Sequence, residues 1–423
     1  MIWEGEVIYA QGKGELEAGT GRRITPRSVF KIASISKQMT TGLLARLVDA
    51  GKLRWDDPVV KYIPTFRMSD PWVTREMQVR DLLIHNSGLR AGAGDLMLWP
   101  EPNRFTRADI IAGLQYLKPI HTFRARYTYD NLLYVVAGEV AASAGGASYE
   151  ELMQREVFAP LGLARCRVGE WKRDELGEVA QPHMLKDDVN VVIRRDDEII
   201  PAITSAAAGG IRCSLNDMLT WMQMWLDPEL KSSTGERWLS AEQRNALWTA
   251  HMPMPVSQRQ RDWFDTRFSA YGYGWRLADM DGTFTVSHTG TLAGMFSALM
   301  LFPEQRHGFV FHINGNGGEA RTVLSTMLTK LLIAPSELLS ADQYAAALAA
   351  ASSDAPERSV PDTSMRRPAT REHLSKKLGI YRDPWFGEVA LCEAADDRVH
   401  FRAAKSPRMS GEVMQVDELL LVD

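Results

Sequence analysis

The chain has 423 residues, 45% of them hydrophobic and 24% charged, with a net charge of −4. That composition suits a folded protein with a large core and excludes a basic nucleic-acid-binding surface. No apolar run reaches the ~18 residues that cross a bilayer, and the start Met1-Ile2-Trp3-Glu4-Gly5-Glu6 is no secretory signal. The expectation for the sequence as written is therefore cytoplasmic, with no membrane and no nucleic-acid partner. Cys166, Cys213 and Cys392 are scattered and odd in number, lacking C-x-x-C spacing. They read as small buried residues, with neither a disulfide framework nor a metal site expected.

In chain order, residues 7–10 and the segment after Gly12 read as a hairpin around Gln11-Gly12-Lys13-Gly14. A strand so early in the chain suggests that an upstream helix and strand precede it. A helix follows, carrying Ser34, Lys37, Leu43, Leu44, Leu47 and Val48 at helical spacing and stopped by Gly51. Short helical pieces are expected near Ile63 and over 79–84, then a long loop over 91–103 of the kind that borders binding sites. Helices are expected at 108–117, 132–142 and 149–157. Residues 185–200 alternate charged and β-branched side chains and have no clear element. Ser214 is a capping start for a helix to about Trp225.

From Tyr271 the hydrophobic period changes to that of a strand meander running to Ile313, followed by a helix over 319–333. Strand first, helices in the middle, strands and helix last is the order of an α+β fold: an antiparallel sheet flanked by helices, with an inserted all-helical subdomain. The expected domains are 1–345 (catalytic), 346–370 (an Ala-rich, then Pro/Ser-rich linker) and 371–423 (a partial β accessory domain). Fifty-odd residues make a poor independent core, so the last is either docked on the first or cut short.

Ser34 and Lys37 lie one turn apart on one helix face, so hydroxyl and amine can meet. The helix N-terminus favours negative charge beside the serine. By itself Ser-x-x-Lys is common on solvated helix faces. Its weight comes from Tyr127-Thr128-Tyr129-Asp130-Asn131, Ser287-His288-Thr289-Gly290-Thr291 and Leu82-Leu83-Ile84-His85-Asn86-Ser87-Gly88-Leu89 further along. With these, the chain resembles the serine β-lactamase and penicillin-binding-protein superfamily, in the branch of class C β-lactamases, D-aminopeptidases and β-lactamase-like esterases. Segments at 30–52, 55–64, 82–89, 129–138, 160–163, 207–217, 271–275 and 288–303 follow the family in order.

The resemblance implies that Ser34 is the nucleophile of an acyl-enzyme and that Lys37 and Tyr129 share its proton. It further implies that Asn131 binds the substrate amide, that His288, Thr289, Gly290 and Thr291 form the substrate-binding strand, and that the N–H groups of Ser34 and Thr291 make the oxyanion hole. No cofactor and no metal is expected. Three departures stand out. His288 replaces a lysine, which predicts weaker recognition of a free carboxylate, because a histidine is mostly neutral at pH 7. Asp130 replaces a small residue, either weakening anionic substrates or pointing into solvent. Phe123-Arg124-Ala125-Arg126 lacks the family's Pro-Gly.

His85 reads as a helix-terminus anchor, and Tyr127 and Tyr134 as core or subsite residues. The tryptophans read as packing, with those in the 91–103 loop placed to line a pocket. The expected function is a serine hydrolase acting on D-amino-acid amides or peptides or small esters, the alternatives being a carboxylesterase, a weak β-lactamase or a non-catalytic ligand-binding sensor. The partner is a small ester, amide or peptide, and the oligomeric state is open.

Overall fold

Two-residue turns set the registers of the central sheet. Asp281 and Gly282, both at positive φ (48° and 75°), join the strands Arg276–Met280 and Thr283–Leu292, the backbone that matches strand twist. A computed structural model of the chain describes residues 1–315, 317–353, 362–395 and 397–423. Its main sheet has eight strands in the order Glu6–Val7, Ile2–Trp3, His307–Ile313, Met295–Phe302, Thr283–Leu292, Arg276–Met280, Ser269–Tyr271, Met252–Pro253. All its pairs are antiparallel. The α+β architecture expected from the element order is the one found.

The N-terminal hairpin turns at Glu4-Gly5 rather than at 11–14. Its register is set by Ile2, which is fully buried and pairs with Gly308. The 185–200 stretch, which shows no clear element in the sequence, opens within the hairpin His183–Lys186 and Val189–Val192 about Asp187-Asp188, both left-handed.

The helix Ser36–Asp49 starts directly after a single 3-10 turn, Ala33–Ile35, and 11 of its 14 residues are buried. Two of its buried hydroxyls are satisfied internally, whereas the buried Gln38 amide has no partner among the described residues. Thr40 Oγ1 donates to the Ala207 carbonyl at 2.7 Å, and Ser36 Oγ accepts from the Ile211 N–H at 3.1 Å. Gly42 has no room for a side chain: a Cβ there meets Trp238 at 2.9 Å and Trp221 at 3.2 Å. Those two pack with Trp225, Trp248 and Trp275, so these tryptophans are packing residues, as expected. On another side lies the helix Leu132–Gly145, and Gly318–Ile333 covers the sheet with Leu332 against Phe302 and Phe309.

The stretch expected to begin the linker is instead the helix Ala341–Ser353, because an Ala-rich run has high helix propensity. The rest of that linker falls partly outside the described residues, over 354–361. The C-terminal strands make a six-stranded sheet that includes Arg367–Pro368 through Arg367↔Gln415; we propose that this unit starts near residue 362. It is docked on the helical part. The Phe386 ring packs at a tilt on Phe105 with centroids 5.6 Å apart, the Arg104 N–H donates to the Lys405 carbonyl at 2.6 Å, and Lys405 Nζ pairs with Asp109 at 2.6 Å. No helix among the described residues is long and apolar enough to cross a membrane.

Candidate active site

Ser34 sits in the 3-10 turn that opens the central helix, behind Ala33, whose φ of +51° is costly for a residue with a Cβ. The turn is held from the sheet side by Gly290. A Cβ at Gly290 meets the Ile32 carbonyl oxygen at 2.2 Å and Ala33 Cβ at 3.0 Å. The glycine of the His-Thr-Gly stretch therefore serves close packing of the strand against the Ser34 turn and does not line the cavity.

Lys37 is fully buried beneath Ser34. Its Nζ lies 3.3 Å from Ser34 Oγ, 2.8 Å from Asn131 Oδ1 and 2.7 Å from the Ala208 carbonyl. Burial lowers its pKa to about 7, with Asp95 the charge that most opposes that fall. A neutral amine has two N–H groups and one lone pair. Asn131 and Ala208 accept the two donors, so the lone pair is left for the Ser34 hydroxyl. The Asn131 amide is oriented by Asp95, whose Oδ2 accepts from Asn131 Nδ2 at 2.9 Å.

Tyr129 is half-buried with its ring centroid 4.9 Å from Lys37 Nζ. Desolvation pushes its pKa up to about 12, while Arg276 and a hydrogen bond with Ser34 pull the other way. The two groups that share the proton in the resemblance are thus unequal here: near pH 7 an amine is free and a phenol is not.

Ser34, Tyr129, Asn131, Thr289 and Thr291 line one cavity of about 990 Å³, along with Trp99 of the 91–103 loop. His288 does not. It is fully buried, its Nδ1–H donates to the Thr289 carbonyl at 2.7 Å and its Nε2 accepts from the Tyr271 hydroxyl at 2.8 Å. Burial holds its pKa well below the usual imidazole range. His288 is therefore a neutral brace behind the strand, 6.4 Å between ring centroids from Tyr129.

The cation missing from position 288 is supplied by Arg276. This residue lines the cavity, donates to Thr289 Oγ1 at 2.8 Å, and has no carboxylate within ion-pair distance among the described residues. Burial works against its charge, and Tyr127, Tyr271 and Tyr129 around it oppose that effect. The sequence contained a signal for it: the Asp281-Gly282 turn sets Arg276 opposite Ser287, the residue before the motif.

Asp130 does not point into solvent. It is fully buried, its Oδ1 caps the next helix by accepting from the N–H groups of Leu132 (2.9 Å) and Leu133 (3.4 Å), and Ser87 donates to its Oδ2 at 3.2 Å. Desolvation raises its pKa to about 7. His85, also buried, accepts from the Asp130 N–H through Nδ1 at 3.0 Å, the anchoring expected of it. Tyr134 is core, its hydroxyl donating to the Leu83 carbonyl at 2.7 Å. Arg124 stands at φ +65° where the family has Pro-Gly, and holds that turn by pairing with the buried Asp81 at 2.6 Å.

One expectation fails outright. Cys166 and Cys213 are both buried and form a disulfide across 47 residues, leaving Cys392 as the free thiol. Wide spacing concealed a pair that meets only because the Arg167 and Arg212 backbones bridge.

The family model described as Beta-lactamase matches residues 2–332. The chain belongs to that family, and it is a serine hydrolase. Penicillin-binding protein 4 of Amycolatopsis lactamdurans is 29% identical over 341 residues, 77% of this chain and 82% of that protein. D-alanyl-D-alanine-carboxypeptidase/endopeptidase AmpH of Escherichia coli (strain K12) is 24% identical over 316 residues, 73% of this chain and 76% of its own. The octameric penicillin-binding protein homologue from Pyrococcus abyssi shares the fold at a TM-score of 0.61 and 22% identity, covering 99% of this chain and 86% of that one.

Proposed function

We propose that this family member hydrolyses D-amino-acid amides and peptides through an acyl-enzyme at Ser34, with preference for a leaving group that carries a carboxylate. The observation that carries the preference is Arg276, a guanidinium in the cavity with no carboxylate partner among the described residues. It replaces the expectation of weak carboxylate recognition drawn from His288. The D configuration is supported by the printed name of the Escherichia coli relative.

In the proposed reaction Ser34 Oγ bonds to the substrate carbonyl carbon as its proton passes to Lys37 Nζ. Backbone N–H groups at Ser34 and Thr291 stabilise the oxyanion. The scissile C–N bond then breaks and the leaving amine takes a proton from Lys37, with Tyr129 adjacent to relay it. Water hydrolyses the ester, releasing the acid and restoring Ser34. Asn131 keeps Lys37 in place and offers an amide to the substrate. The buried disulfide supports an oxidising compartment in place of the cytoplasm read from the sequence.

Four substrates test this reading: a D-alanyl-D-alanine peptide, its C-terminal amide, the L,L isomer and nitrophenyl butyrate. The expected order places the free D,D-peptide first, with activity lost in Ser34→Ala and a penicillin or fluorophosphonate adduct on Ser34 by mass spectrometry. Faster turnover of the ester or the L isomer, or activity surviving Ser34→Ala, overturns it.

A further inference from the structure

The helix Gly318–Ile333 contributes nothing to the lining of the cavity, yet one of its side chains reaches the strand that carries the site. Arg321 Nη1 donates to the Gly290 carbonyl at 2.8 Å and to Thr291 Oγ1 at 2.5 Å. Its guanidinium carbon stands 5.3 Å from the ring centroid of Phe296, the residue paired with Thr291 on the next strand. No carboxylate lies within ion-pair distance of Arg321 among the described residues. A half-buried cation without a counter-ion costs free energy, and packing a helix on a sheet requires none.

The two acceptors show what the cation does there. The Gly290 carbonyl and the Thr291 N–H belong to one peptide group. In a trans peptide these two ends point to opposite sides, and the cis bonds of the described chain lie elsewhere, at Trp99-Pro100 and Glu101-Pro102. A guanidinium that donates to the oxygen end draws electron density away from the nitrogen and leaves the N–H a stronger donor at the far end. The second bond, to Thr291 Oγ1, grips the same peptide from its other residue and fixes the rotation of its plane.

Arg276 is placed differently. It lines the cavity and bonds the side chain of Thr289, one residue before Gly290. Thr291 lines the cavity as well, whereas Gly290 and Arg321 do not. The charge of Arg321 therefore reaches the site through the backbone.

We propose that Arg321 is a positioning residue for acyl transfer, acting through the Gly290–Thr291 peptide to orient and strengthen the Thr291 N–H that receives the oxyanion. This rests on the proposed function, in which that N–H and the one at Ser34 hold the tetrahedral intermediate. The oxyanion exists only during reaction, so the contribution belongs to kcat and leaves KM alone. It involves no charge on the substrate, so neutral and carboxylate-bearing substrates share it.

The test measures kcat and KM for a D-alanyl-D-alanine peptide, its C-terminal amide and nitrophenyl butyrate. It adds the inhibition constant of an alkyl boronic acid, whose tetrahedral adduct on serine carries the same negative charge. Wild type is compared with Arg321→Lys, Arg321→Gln and Arg321→Met, with active sites counted from the end-point of fluorophosphonate labelling so that unfolded protein drops out. Arg321→Met is expected to lose about 10- to 100-fold in kcat on all three substrates, somewhat less than removal of a whole oxyanion donor. Boronate binding weakens by the same factor, Arg321→Lys recovers most of the loss, and Arg321→Gln, a neutral donor, falls between. Where Arg321→Met does not fold, the comparison of lysine with glutamine carries the result, because both keep a donor and only one keeps the charge.

A loss confined to the free peptide, or seen in KM alone, makes Arg321 a substrate-binding residue and overturns the proposal. Equal losses in lysine and glutamine variants, or an unchanged kcat, overturn it too. If wild-type Ser34 labels in those cases, the function stands without it; if Ser34 does not label and Ser34→Ala stays active, the function itself has failed.

Discussion

Lys37 Nζ stands 3.3 Å from Ser34 Oγ while two other acceptors, Asn131 Oδ1 and the Ala208 carbonyl, take its remaining hydrogens. The three oxygens satisfy either an ammonium that donates to all of them or a neutral amine that accepts from Ser34, and burial brings the pKa to about 7, where the neutral form is abundant. Burial sets the base strength, and Asn131 and the Ala208 carbonyl direct the lone pair of the neutral form.

Activity should follow that titration, with kcat/KM rising as pH increases through about 7 and levelling above it. Stability carries the same signature. Between about 7 and the ordinary 10.5, the unfolded chain holds a proton that the folded chain lacks, so stability from Lys37 increases with pH across that window. The Tm of Lys37→Met relative to wild type should be most favourable near pH 6 and fall toward pH 9. A pH-independent difference in thermal melts contradicts a depressed lysine.

Asp130→Asn keeps the Oδ1 cap on Leu132 and Leu133 but cannot ionise. In wild type the folded carboxyl titrates near 7 against an ordinary 3.8, so its contribution to stability is lost as pH rises from about 4 to 7. The variant should gain Tm over wild type between pH 4.5 and pH 8. An unchanged difference at the two pH values places Asp130 in water.

Gly290→Ala puts a methyl carbon 2.2 Å from the Ile32 carbonyl oxygen. The methyl is fixed by its own backbone and the oxygen is backbone, so the strand must separate from the Ser34 turn. Fluorophosphonate labelling of Ser34 should slow by at least about 100-fold, the scale of a 1 Å misplacement, in protein that retains its circular dichroism. Labelling at the wild-type rate shows that the contact does not position Ser34.

Alkylation of the denatured, unreduced protein should modify Cys392 alone, and all three cysteines only after reduction. Cys166→Ala with Cys213→Ala should lose about 4 kcal/mol on the loop-closure estimate for 47 residues, read from denaturant melts. Three reactive thiols without reductant disprove the bond.

Much of the site was legible because its chemistry is local. Ser34 and Lys37 meet through one helical turn, Tyr129 and Asn131 sit side by side before a helix, and the meander announced itself by its two-residue period. The helix Leu215–Leu226 begins at Ser214 as its capping side chain requires, accepting from the Asp217 N–H at 3.2 Å. The N-terminal hairpin was misplaced because four glycine-rich residues outweighed a two-residue turn at Glu4-Gly5 whose register depends on a partner strand 300 residues away.

What the sequence determined by itself is the set of candidate site groups and the order of the elements, since both follow from spacing along the backbone. What only the tertiary structure decided is which cation lines the cavity, which carboxylates are buried and which thiols are joined. Those depend on strand pairing and on exclusion of water. His288 and Arg276 lie on neighbouring strands, and only their packing turned the imidazole inward to Tyr271 and left the guanidinium in the cavity.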